Sequence, residues 1–321
     1  GTITLSSTGI ALEGSSSDLA AAFAGTVTLH TGTVAITNNN YTMAELVTIN
    51  DATSGTITLS HTAIAISGTT TQFAAALAGS INYTGDVTVT GSYTAEQLAS
   101  INSGTTGSVT LDDPTVNLSG TSSNLAAAFT ASANGTPVTT HTGTVAITNS
   151  NYTVSELKTI NDGSTGTITF STTNTALSGS SSDLATALAN SNNYAGTVTV
   201  TNTDYTVANL KVINDGTSGS IVLQTTNTAL SGTSSDVAAA LAGTITTHTG
   251  NITLTDNHTL AELKAINNAN NGGTITLNSY AVALSGTSAD VAAALDATFA
   301  ATYTGTATLS DNHSLAELKT V

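Results

Sequence analysis

The chain has 321 residues, only 7% of them charged, and its 20 acidic residues against four basic ones give a formal net charge of -16. Binding to nucleic acid requires clustered lysine and arginine, so this composition disfavours a nucleic-acid partner and also attraction to an anionic membrane surface. No apolar run approaches the ~18 residues of a membrane-spanning helix, so no membrane insertion is expected. There is no cysteine, so packing and hydrogen bonds must hold the fold together.

Internal repetition is the dominant pattern of the sequence. A glycine followed by alternating polar and apolar residues marks two places in each repeat. The first-type markers are Gly1, Gly55, Gly107, Gly166, Gly219 and Gly273. The second-type markers are Gly32, Gly85, Gly143, Gly196, Gly250 and Gly305. Each series recurs about every 54 residues, with one enlarged loop around 131–137. The repeat units are therefore 1–54, 55–106, 107–165, 166–218, 219–272 and 273–321.

The residues after each marker alternate as in a half-buried β-strand. At 2–5, 86–89 and 251–254, isoleucine, valine or leucine would face a core while every second residue faces solvent. Further short strands are predicted at 11–12, 63–66, 229–230 and 282–284, and others before the second marker at 26–29 and 244–246. Each repeat is thus expected to be rich in short strands.

A short helix is predicted after each of the two strand types. The first-type helices have the N-caps Ser15, Thr69, Thr121, Ser180, Thr233 and Thr287. The second-type helices have the N-caps Thr42, Thr94, Thr153, Thr206, Thr259 and Ser314. Five of the second-type helices carry Glu or Gln three residues after the cap, which completes a capping box. All four lysines lie at one position late in the second-type helix, where a cation suits the C-terminus, and Asn-Asp-Gly at 161–163 and 214–216 is expected to turn the chain.

These helices are too short to be stable alone, because isolated helices below ~12 residues are marginal in water. Stacking the units would bury their apolar faces in one continuous core, with helices of each type stacked on their own kind. We therefore predict an α/β repeat fold: a β-strand-rich solenoid of six units, with two short helices per unit of about 54 residues. The whole of 1–321 is expected to form a single array.

Histidine is the first candidate for chemistry. His30, His141 and His248 share a position two residues before a second-type marker, and His61 stands alone. A second position, directly before a second-type N-cap, holds Tyr41, Tyr93, Tyr152, Tyr205, His258 and His313. The alternation with tyrosine indicates packing, such as a hydrophobic staple of Tyr41 on Leu46. Equivalent positions would also lie ~10 Å or more apart along a stack, too far to share one zinc ion.

Carboxylates and hydroxyls give no catalytic pattern either. Most carboxylates lie in helix first turns or Asn-Asp-Gly turns, and the pair Asp112-Asp113 is predicted to be a loop feature. Calcium is the one cofactor to consider, since hard cations favour Asp and Asn oxygens, but neither the GGxGxD nonapeptide nor an EF-hand loop occurs. No GxSxG elbow or phosphate loop stands out. We therefore expect no enzyme, and no catalytic, cofactor-binding or metal-binding residues.

Thr-x-Thr segments suggest a second function. They lie at 2–4, 26–28, 56–58, 88–90, 167–169, 197–199, 244–246, 274–276 and 306–308. Stacked, they could form a flat threonine array that resembles the ice-binding face of β-solenoid antifreeze proteins, or a face for a surface glycan. Threonine also simply suits the solvated face of a strand, and this structural interpretation is favoured.

Two segments carry a resemblance to a known class of proteins. Ser-Gly-Thr-Ser-Ala-Asp-Val-Ala-Ala-Ala-Leu at 285–295 and His-Thr-Leu-Ala-Glu-Leu-Lys-Ala-Ile-Asn at 258–267 resemble the repeats of very large surface and secreted proteins of bacteria, notably cyanobacteria. The resemblance implies an extracellular or cell-surface location. It also implies a structural or adhesive role, in a fibre, sheath or stalk, without catalytic residues.

The two ends of the sequence also lack the atypical capping repeats that solenoids need. Gly1 opens a strand, and Val321 falls in the buried stripe of a second-type helix. We expect the units to continue on both sides, either in a longer polypeptide or by self-association end to end into a filament.

Overall fold

The computed structural model describes residues 2–77, 81, 83–131 and 138–321. Marker Gly1 and all but the first residue of the enlarged loop predicted at 131–137 lie outside the described residues. Within them, the chain is an α/β protein of repeated strand–helix units, with 12 helices and 19 short strands and no closed barrel. The predicted α/β repeat class is therefore confirmed.

The first-type helices begin directly after their predicted N-caps. They are α1 (Ser16–Phe23), α3 (Thr70–Ala76), α5 (Ser122–Phe129), α7 (Ser181–Leu188), α9 (Ser234–Ala240) and α11 (Ser288–Leu295). In α7, the backbone N–H of Asp183 donates to Ser180 Oγ at 3.2 Å, which satisfies one free amide of the first turn. The other five caps make the same bond.

The second-type helices also begin where predicted. They are α2 (Met43–Ala52), α4 (Ala95–Gly104), α6 (Val154–Gly163), α8 (Val207–Gly216), α10 (Leu260–Ala269) and α12 (Leu315–Thr320). All five predicted capping boxes form. In α10, the carboxylate of Glu262 accepts from the N–H of Thr259 at 2.8 Å, and the N–H of Glu262 donates to Thr259 Oγ1 at 3.3 Å.

The C-terminal ends of these helices differ from the prediction. Asn-Asp-Gly at 161–163 and 214–216 forms the last residues of α6 and α8 instead of a turn. The added turn places Lys158, Lys211 and Lys264 in the middle of their helices, so the expected interaction with the helix C-terminus was wrong for them. Within the described residues, only Lys319 lies in a last turn.

The strands are two or three residues long. Those before the first-type helices are β2 (Leu12–Gly14), β6 (Ile66–Gly68), β9 (Leu118–Gly120), β12 (Leu177–Gly179), β15 (Leu230–Gly232) and β18 (Leu284–Gly286). The second-type marker strands are β4 (Val34–Ile36), β7 (Val87–Val89), β10 (Val145–Ile147), β13 (Val198–Val200), β16 (Ile252–Leu254) and β19 (Ala307–Leu309). The first-type marker strands are β1 (Thr2–Ile3), β5 (Ile57–Leu59), β8 (Val109–Leu111), β11 (Ile168–Phe170), β14 (Ile221–Leu223) and β17 (Ile275–Thr276), and β3 (Thr26–Val27) stands apart from the three groups.

Most predicted strands are confirmed with shifted ends. The strand expected at 63–66, for example, runs from Ile66 to Gly68. The strand expected at 244–246 was wrong, because this segment forms only an isolated bridge between Ile245 and Ile221.

Two compact units make up the chain, and each contains several small parallel sheets. The first unit, Gly1–Asn149 with Asp162–Ile168, holds the sheets β1-β3, β2-β4-β5 and β6-β7-β8 and the pair β9-β10. The second, Ser150–Asn161 with Thr169–Val321, holds β12-β13-β14, β15-β16-β17 and β18-β19. A complete sheet contains the strand before a first-type helix, the second-type marker strand, and the first-type marker strand of the next repeat. The single array over 1–321 stays a prediction.

Each sheet buries one side, as the alternation predicted. Ile252 and Leu254 of β16 are 0% and 2% exposed, while Thr253 between them faces solvent. In the helices, the stripe that includes Leu263 and Ile266 is fully buried. The core therefore lies between the inner faces of the strands and the apolar stripes of the helices.

The helices pack in sequence order within each unit, so the two types alternate. In the first unit α2 lies between α1 and α3, and in the second α8 lies between α7 and α9. The predicted stacking of each type on its own kind was therefore wrong. Each helix lies in the connection between two adjacent parallel strands of a sheet, so successive helices lie side by side.

Candidate functional site

One recurrent side-chain position bonds to the backbone of an earlier segment in five of the six repeats. The position two residues before the second-type marker holds His30, Tyr83, His141, Tyr194, His248 and Tyr303, so histidine and tyrosine alternate strictly. The three histidines were evident as a group from the sequence, but the three tyrosines at the same position were not. His141 and His248 are fully buried, and Tyr83 and Tyr194 are at most 2% exposed.

Five of these six side chains bond to a backbone carbonyl about 20 residues earlier. The bonds are Tyr83 Oη to Ile64 O, His141 Nε2 to Val116 O at 2.6 Å, Tyr194 Oη to Thr175 O at 2.5 Å, His248 Nε2 to Thr228 O at 2.8 Å, and Tyr303 Oη to Val282 O at 2.5 Å. Each bond satisfies a carbonyl that the short strands leave without a ladder partner. Burial lowers the pKa of His141 and outweighs the bond to Val116 O, which alone would raise it.

The marker glycines allow the same close approach between two segments of backbone. A Cβ at Gly250 would lie 2.4 Å from Thr228 O, the carbonyl that His248 binds. A Cβ at Gly55 would lie 1.8 Å from Gly32 O. No side chain fits at these distances. The contact with the backbone of the earlier segment therefore requires glycine at these positions.

His30 is the exception in this row. It is 2% exposed, and neither of its ring nitrogens has a hydrogen-bond partner. Its ring packs on Phe23 with centroids 5.9 Å apart. The first repeat therefore lacks the side-chain bond to a backbone carbonyl that the other five repeats make.

The second tyrosine row anchors loops in the same way. The hydroxyls of Tyr41, Tyr93, Tyr152 and Tyr205 donate to the carbonyls of His61, Asp113, Thr172 and Thr225 at 2.6, 2.6, 2.7 and 2.8 Å. The predicted packing role is confirmed for these four tyrosines, whose rings are at most 4% exposed, but not for His313, which is exposed. Burial raises the pKa of each hydroxyl, and for Tyr93 burial and the nearby Asp113 raise it to about 12. In the fifth repeat His258 takes this position, and its Nε2 lies 3.2 Å from Tyr303 Oη.

A polar cluster joins the starts of neighbouring helices. Ser234, the first residue of α9, is 1% exposed. Its backbone N–H donates to Asp256 Oδ1 at 2.7 Å, and its hydroxyl donates to Glu262 Oε2 at 2.9 Å. Glu262 also closes the capping box of α10, so one carboxylate holds two helix N-termini. Burial alone would raise the pKa of Glu262, but hydrogen bonds from Thr259 and Ser234 outweigh burial and lower it. This serine is buried and faces an ionised carboxylate, so the cluster has no accessible nucleophile or proton donor.

The same cluster recurs in other repeats. In the first unit, Ser16 donates its hydroxyl to Glu45 Oε2 at 2.9 Å and its N–H to Asn38 Oδ1 at 2.7 Å. In the sixth repeat, the N–H of Ser288 donates to Asp311 Oδ1 at 2.7 Å. The glutamates were predicted correctly as members of capping boxes, whereas their serine and Asx partners were not predicted.

Asparagines near the ends of the second-type helices cap the following first-type helix. Asn50, Asn102, Asn161, Asn214 and Asn267 donate from Nδ2 to Ala75 O, Ala127 O, Thr186 O, Ala239 O and Ala293 O at 2.6, 2.9, 2.6, 2.6 and 2.8 Å. These carbonyls lie in a last helical turn, where intrahelical donors become scarce; Thr186 O and Ala239 O also accept from a backbone N–H just beyond their helix. The bond holds the asparagine within its own helix, which explains why Asn-Asp-Gly remains helical.

An open groove lies between α10 and α11. Its volume is about 760 Å³, and Leu260, Ala261 and Ala265 line its apolar wall. Its charged groups, Lys264 and Asp290, form an ion pair at 2.5 Å with each side chain 39% exposed. Hydrogen bonds from Lys264 and Thr287 lower the pKa of Asp290. An exposed, paired lysine and carboxylate give this groove neither a general base nor an activated nucleophile.

The remaining candidates from the sequence are dispersed. Among the described residues, no group of three or more His, Asp or Glu side chains is placed to hold a metal ion. Asp112-Asp113 lies in the loop between β8 and β9 as predicted, and Asp113 Oδ1 accepts from Thr115 Oγ1 at 2.6 Å. In the described residues, no helix combines the length and apolar character needed to cross a membrane.

Single residues of the Thr-x-Thr segments, such as Thr276, lie in short outward rows of the small sheets. In β15-β16-β17, Ser231, Thr253 and Thr276 lie in register on the outer side. Other rows contain Glu13, Ala35, Ala146 or Val222. The segment at 244–246 lies outside the three-stranded sheets, and Thr246 Oγ1 accepts from Leu223 N at 3.2 Å.

Comparison of the chain with known protein families, curated proteins and solved structures finds no match.

Proposed function

We propose that this chain is a non-catalytic structural repeat protein whose six units stack into a solenoid. Its role is to form part of an extracellular or cell-surface fibre, sheath or adhesive stalk, and its partners are further repeats of its own kind. One observation carries this proposal: the recurring polar side chains bind the backbone of a neighbouring turn or helix. Such side chains stabilise a stack, and in the described residues the polar groups that make these bonds are not free to act on a substrate.

The recurrence itself argues against an enzyme. An active site is a single constellation, whereas the His/Tyr bonds, the serine–carboxylate clusters and the asparagine caps each occur in several repeats. A stack of nearest-neighbour contacts can lengthen without a change in design. This property fits a fibre or stalk, and it agrees with the resemblance to large bacterial surface proteins.

Immunogold labelling of the intact cells that produce the chain tests the proposed location. An antibody raised against residues 166–218 should label the outer surface or material shed from it. Label that appears only after the cells are permeabilised would overturn the extracellular role. A signal from cells that lack the gene serves as the background control.

A second candidate function is binding of ice or a surface glycan by the outward hydroxyl rows. The row Ser231, Thr253 and Thr276 favours it, because three hydroxyl side chains lie in register on one sheet. Thermal hysteresis and binding to a glycan array distinguish this function from a purely structural one. A positive result should disappear in Thr253→Val, which keeps the shape of the side chain and removes its hydroxyl.

A further inference from the structure

The segment between α10 and β17 is one residue longer than its equivalents. Two residues separate each of α2, α4, α6 and α8 from the next marker glycine. After α10, Asn270 and Asn271 are followed by an added residue, Gly272, before the marker Gly273. Gly272 has a φ of 117°, a backbone conformation that side chains with a Cβ rarely adopt. The insertion therefore creates an Asn-Gly pair in an unusual backbone conformation.

An Asn-Gly pair is prone to a reaction within its own backbone. The nitrogen of the residue after an asparagine can attack the side-chain amide of that asparagine, and glycine hinders this approach least because it has no Cβ. The sequence contains this pair at 271–272 and at 134–135, and the second lies outside the described residues. The local structure decides whether the pair at 271–272 can react.

The two neighbouring asparagines of this segment have opposite environments. Asn270 is buried, its Oδ1 lies 3.0 Å from His248 Nδ1, and its Nδ2 donates to Gly273 O at 3.3 Å. Asn271 is exposed, and among the described residues its side chain has no hydrogen-bond partner. Only its backbone is held, since its N–H donates to His248 O at 2.7 Å. The amide of Asn271 is therefore free to turn towards the following nitrogen.

The nitrogen of Gly272 is also accessible. Gly272 is exposed, and a Cβ placed on it would meet no atom within 4 Å. Within the described part of the chain, its N–H donates to no acceptor. Both reacting groups are thus exposed, unbonded and joined by a flexible glycine.

We propose that Asn271 is a site of spontaneous succinimide formation that converts it to aspartate and isoaspartate. The nitrogen of Gly272 attacks Cγ of Asn271, and a new N–C bond forms. The Cγ–Nδ2 bond breaks, and the amide nitrogen leaves as ammonia with the proton that Gly272 loses. Water then hydrolyses one of the two carbonyl–nitrogen bonds of the ring, which gives aspartate or isoaspartate. Water is the only co-reactant.

Two related pairs are protected by their place in the fold. The Asp-Gly pairs at 162–163 and 215–216 can form the same ring with loss of water, but they lie in the last turns of α6 and α8. In a helix the backbone N–H points along the axis to the carbonyl four residues earlier, away from the preceding side chain. The fold therefore favours the reaction at Asn271 over these pairs.

Conversion to isoaspartate lengthens the backbone between two fixed points. The N–H of Asn271 is bonded to His248 O. The marker Gly273 packs so closely on an earlier segment that a Cβ there would lie 1.8 Å from Gly250 O. The extra methylene of isoaspartate must be accommodated between these points, directly before β17. We therefore expect the product to loosen the pairing of β17 with β16.

Peptide mapping of the purified chain, kept at mildly alkaline pH, tests the proposal. Mass spectrometry should show loss of Asn271, and an isoaspartate methyltransferase should label the same peptide. Asn270 and Asp215 should remain unchanged over the same time. Asn271→Ser is the control, because it introduces the residue found at the equivalent position, Ser218, and should abolish this signal. Amide exchange at Ile252, whose N–H donates to Thr274 O, should be faster in the converted chain.

Deletion of Gly272 separates the effect of structure from that of sequence. This variant keeps an Asn-Gly pair, but its glycine is the buried marker Gly273. In a repeat of ordinary length the marker nitrogen is held, as the N–H of Gly219 donates to Thr217 Oγ1 at 2.9 Å. The folded variant should convert more slowly than the folded wild type, and the two should react equally in urea.

Two results would overturn the proposal. One is an Asn271 that stays intact in the folded wild type while it reacts in urea. The other is equal conversion of the folded wild type and the folded deletion variant, with circular dichroism establishing that both are folded.

Discussion

At the scale of single residues, helix starts depend on one hydroxyl each. Thr259→Ala removes the oxygen that accepts from the N–H of Glu262, and should lower the free energy of unfolding by about 1 kcal/mol. The control, Thr253→Ala, changes an outward residue of β16 and should cost less than half of that. Urea melts of both variants measure the difference. Equal losses would contradict the assignment of helix cap and strand face.

The buried tyrosines predict a loss of stability at alkaline pH. The unfolded pKa of tyrosine is about 10, and burial raises the folded pKa of Tyr93 to about 12. The folded chain therefore keeps a proton that the unfolded chain releases. This contribution to stability is fully present below pH 10 and is lost as pH rises towards 12, at up to about 1.4 kcal/mol per pH unit for one tyrosine. Chemical denaturation at a series of pH values measures the loss.

Tyr93→Phe is the matched variant for this experiment. It loses the bond to Asp113 O and should be about 1 kcal/mol less stable at neutral pH. Its stability should then fall less steeply than that of the wild type between pH 10 and 12. Identical slopes would show that Tyr93 does not titrate with a raised pKa.

Residue-scale features were predictable when their partners lie nearby in sequence. The N-caps and capping boxes span three residues, so the pattern around Thr259 and Glu262 was sufficient to place them. The bond from His248 to Thr228 O was not predictable, because the carbonyl lies 20 residues away in the sequence. It comes close to the ring only when the two segments pack together in the fold. The alternation of histidine with tyrosine at this position was the signal that could have indicated a shared acceptor.

At the scale of elements, the asparagine caps couple one helix to the next. Asn214 Nδ2 donates to Ala239 O at 2.6 Å and Ala242 O at 3.1 Å, at the end of α9. Asn214→Ala leaves these carbonyls without that donor and should cost about 1–2 kcal/mol. Amide hydrogen exchange should become faster at Leu241 and Ala242, where the helix end loosens.

The neighbouring residue supplies the control for this prediction. Asp215 is 66% exposed and forms only a surface ion pair with Lys211 at 3.7 Å. Asp215→Ala should therefore change stability by less than about 0.5 kcal/mol. An Asn214→Ala variant as stable as Asp215→Ala would show that the cap does not stabilise α9.

Element ends were less predictable than element starts. Asn-Asp-Gly has strong turn preferences, yet at 214–216 it stays helical because Asn214 finds its partner on another helix. The strand ends differ from the predicted ones for a similar reason. Pairing with a strand distant in sequence, as of Gly232 with Leu254, decides where β15 ends. The prediction that helices of one type stack on each other was wrong. The first-type marker strand joins the sheet of the previous repeat, so helices of the two types lie side by side in alternation.

At the scale of the whole molecule, nearest-neighbour packing predicts that one repeat can be removed. Deleting 219–272 joins Ser218 to Gly273, so that marker Gly273 takes the place of Gly219. The shortened chain should keep its helical content per residue and unfold in a single transition. Circular dichroism and thermal melts measure both properties.

A deletion out of phase with the repeat provides the control. Removing 219–249 deletes α9 and joins Ser218 to Gly250, so a second-type marker strand takes a first-type position and the inner faces no longer match. This variant should be strongly destabilised. If both deletions were tolerated equally, or if both unfolded the chain, the assignment of the repeat boundaries would be wrong.

Electron microscopy of the native material is the decisive measurement, because the proposed structural role requires extended assemblies. Filaments or fibrous sheath material on the cell surface should carry label from an antibody against residues 166–218. Dispersed single particles as the native form, with no label on any fibre, sheath or stalk, would overturn the proposed role.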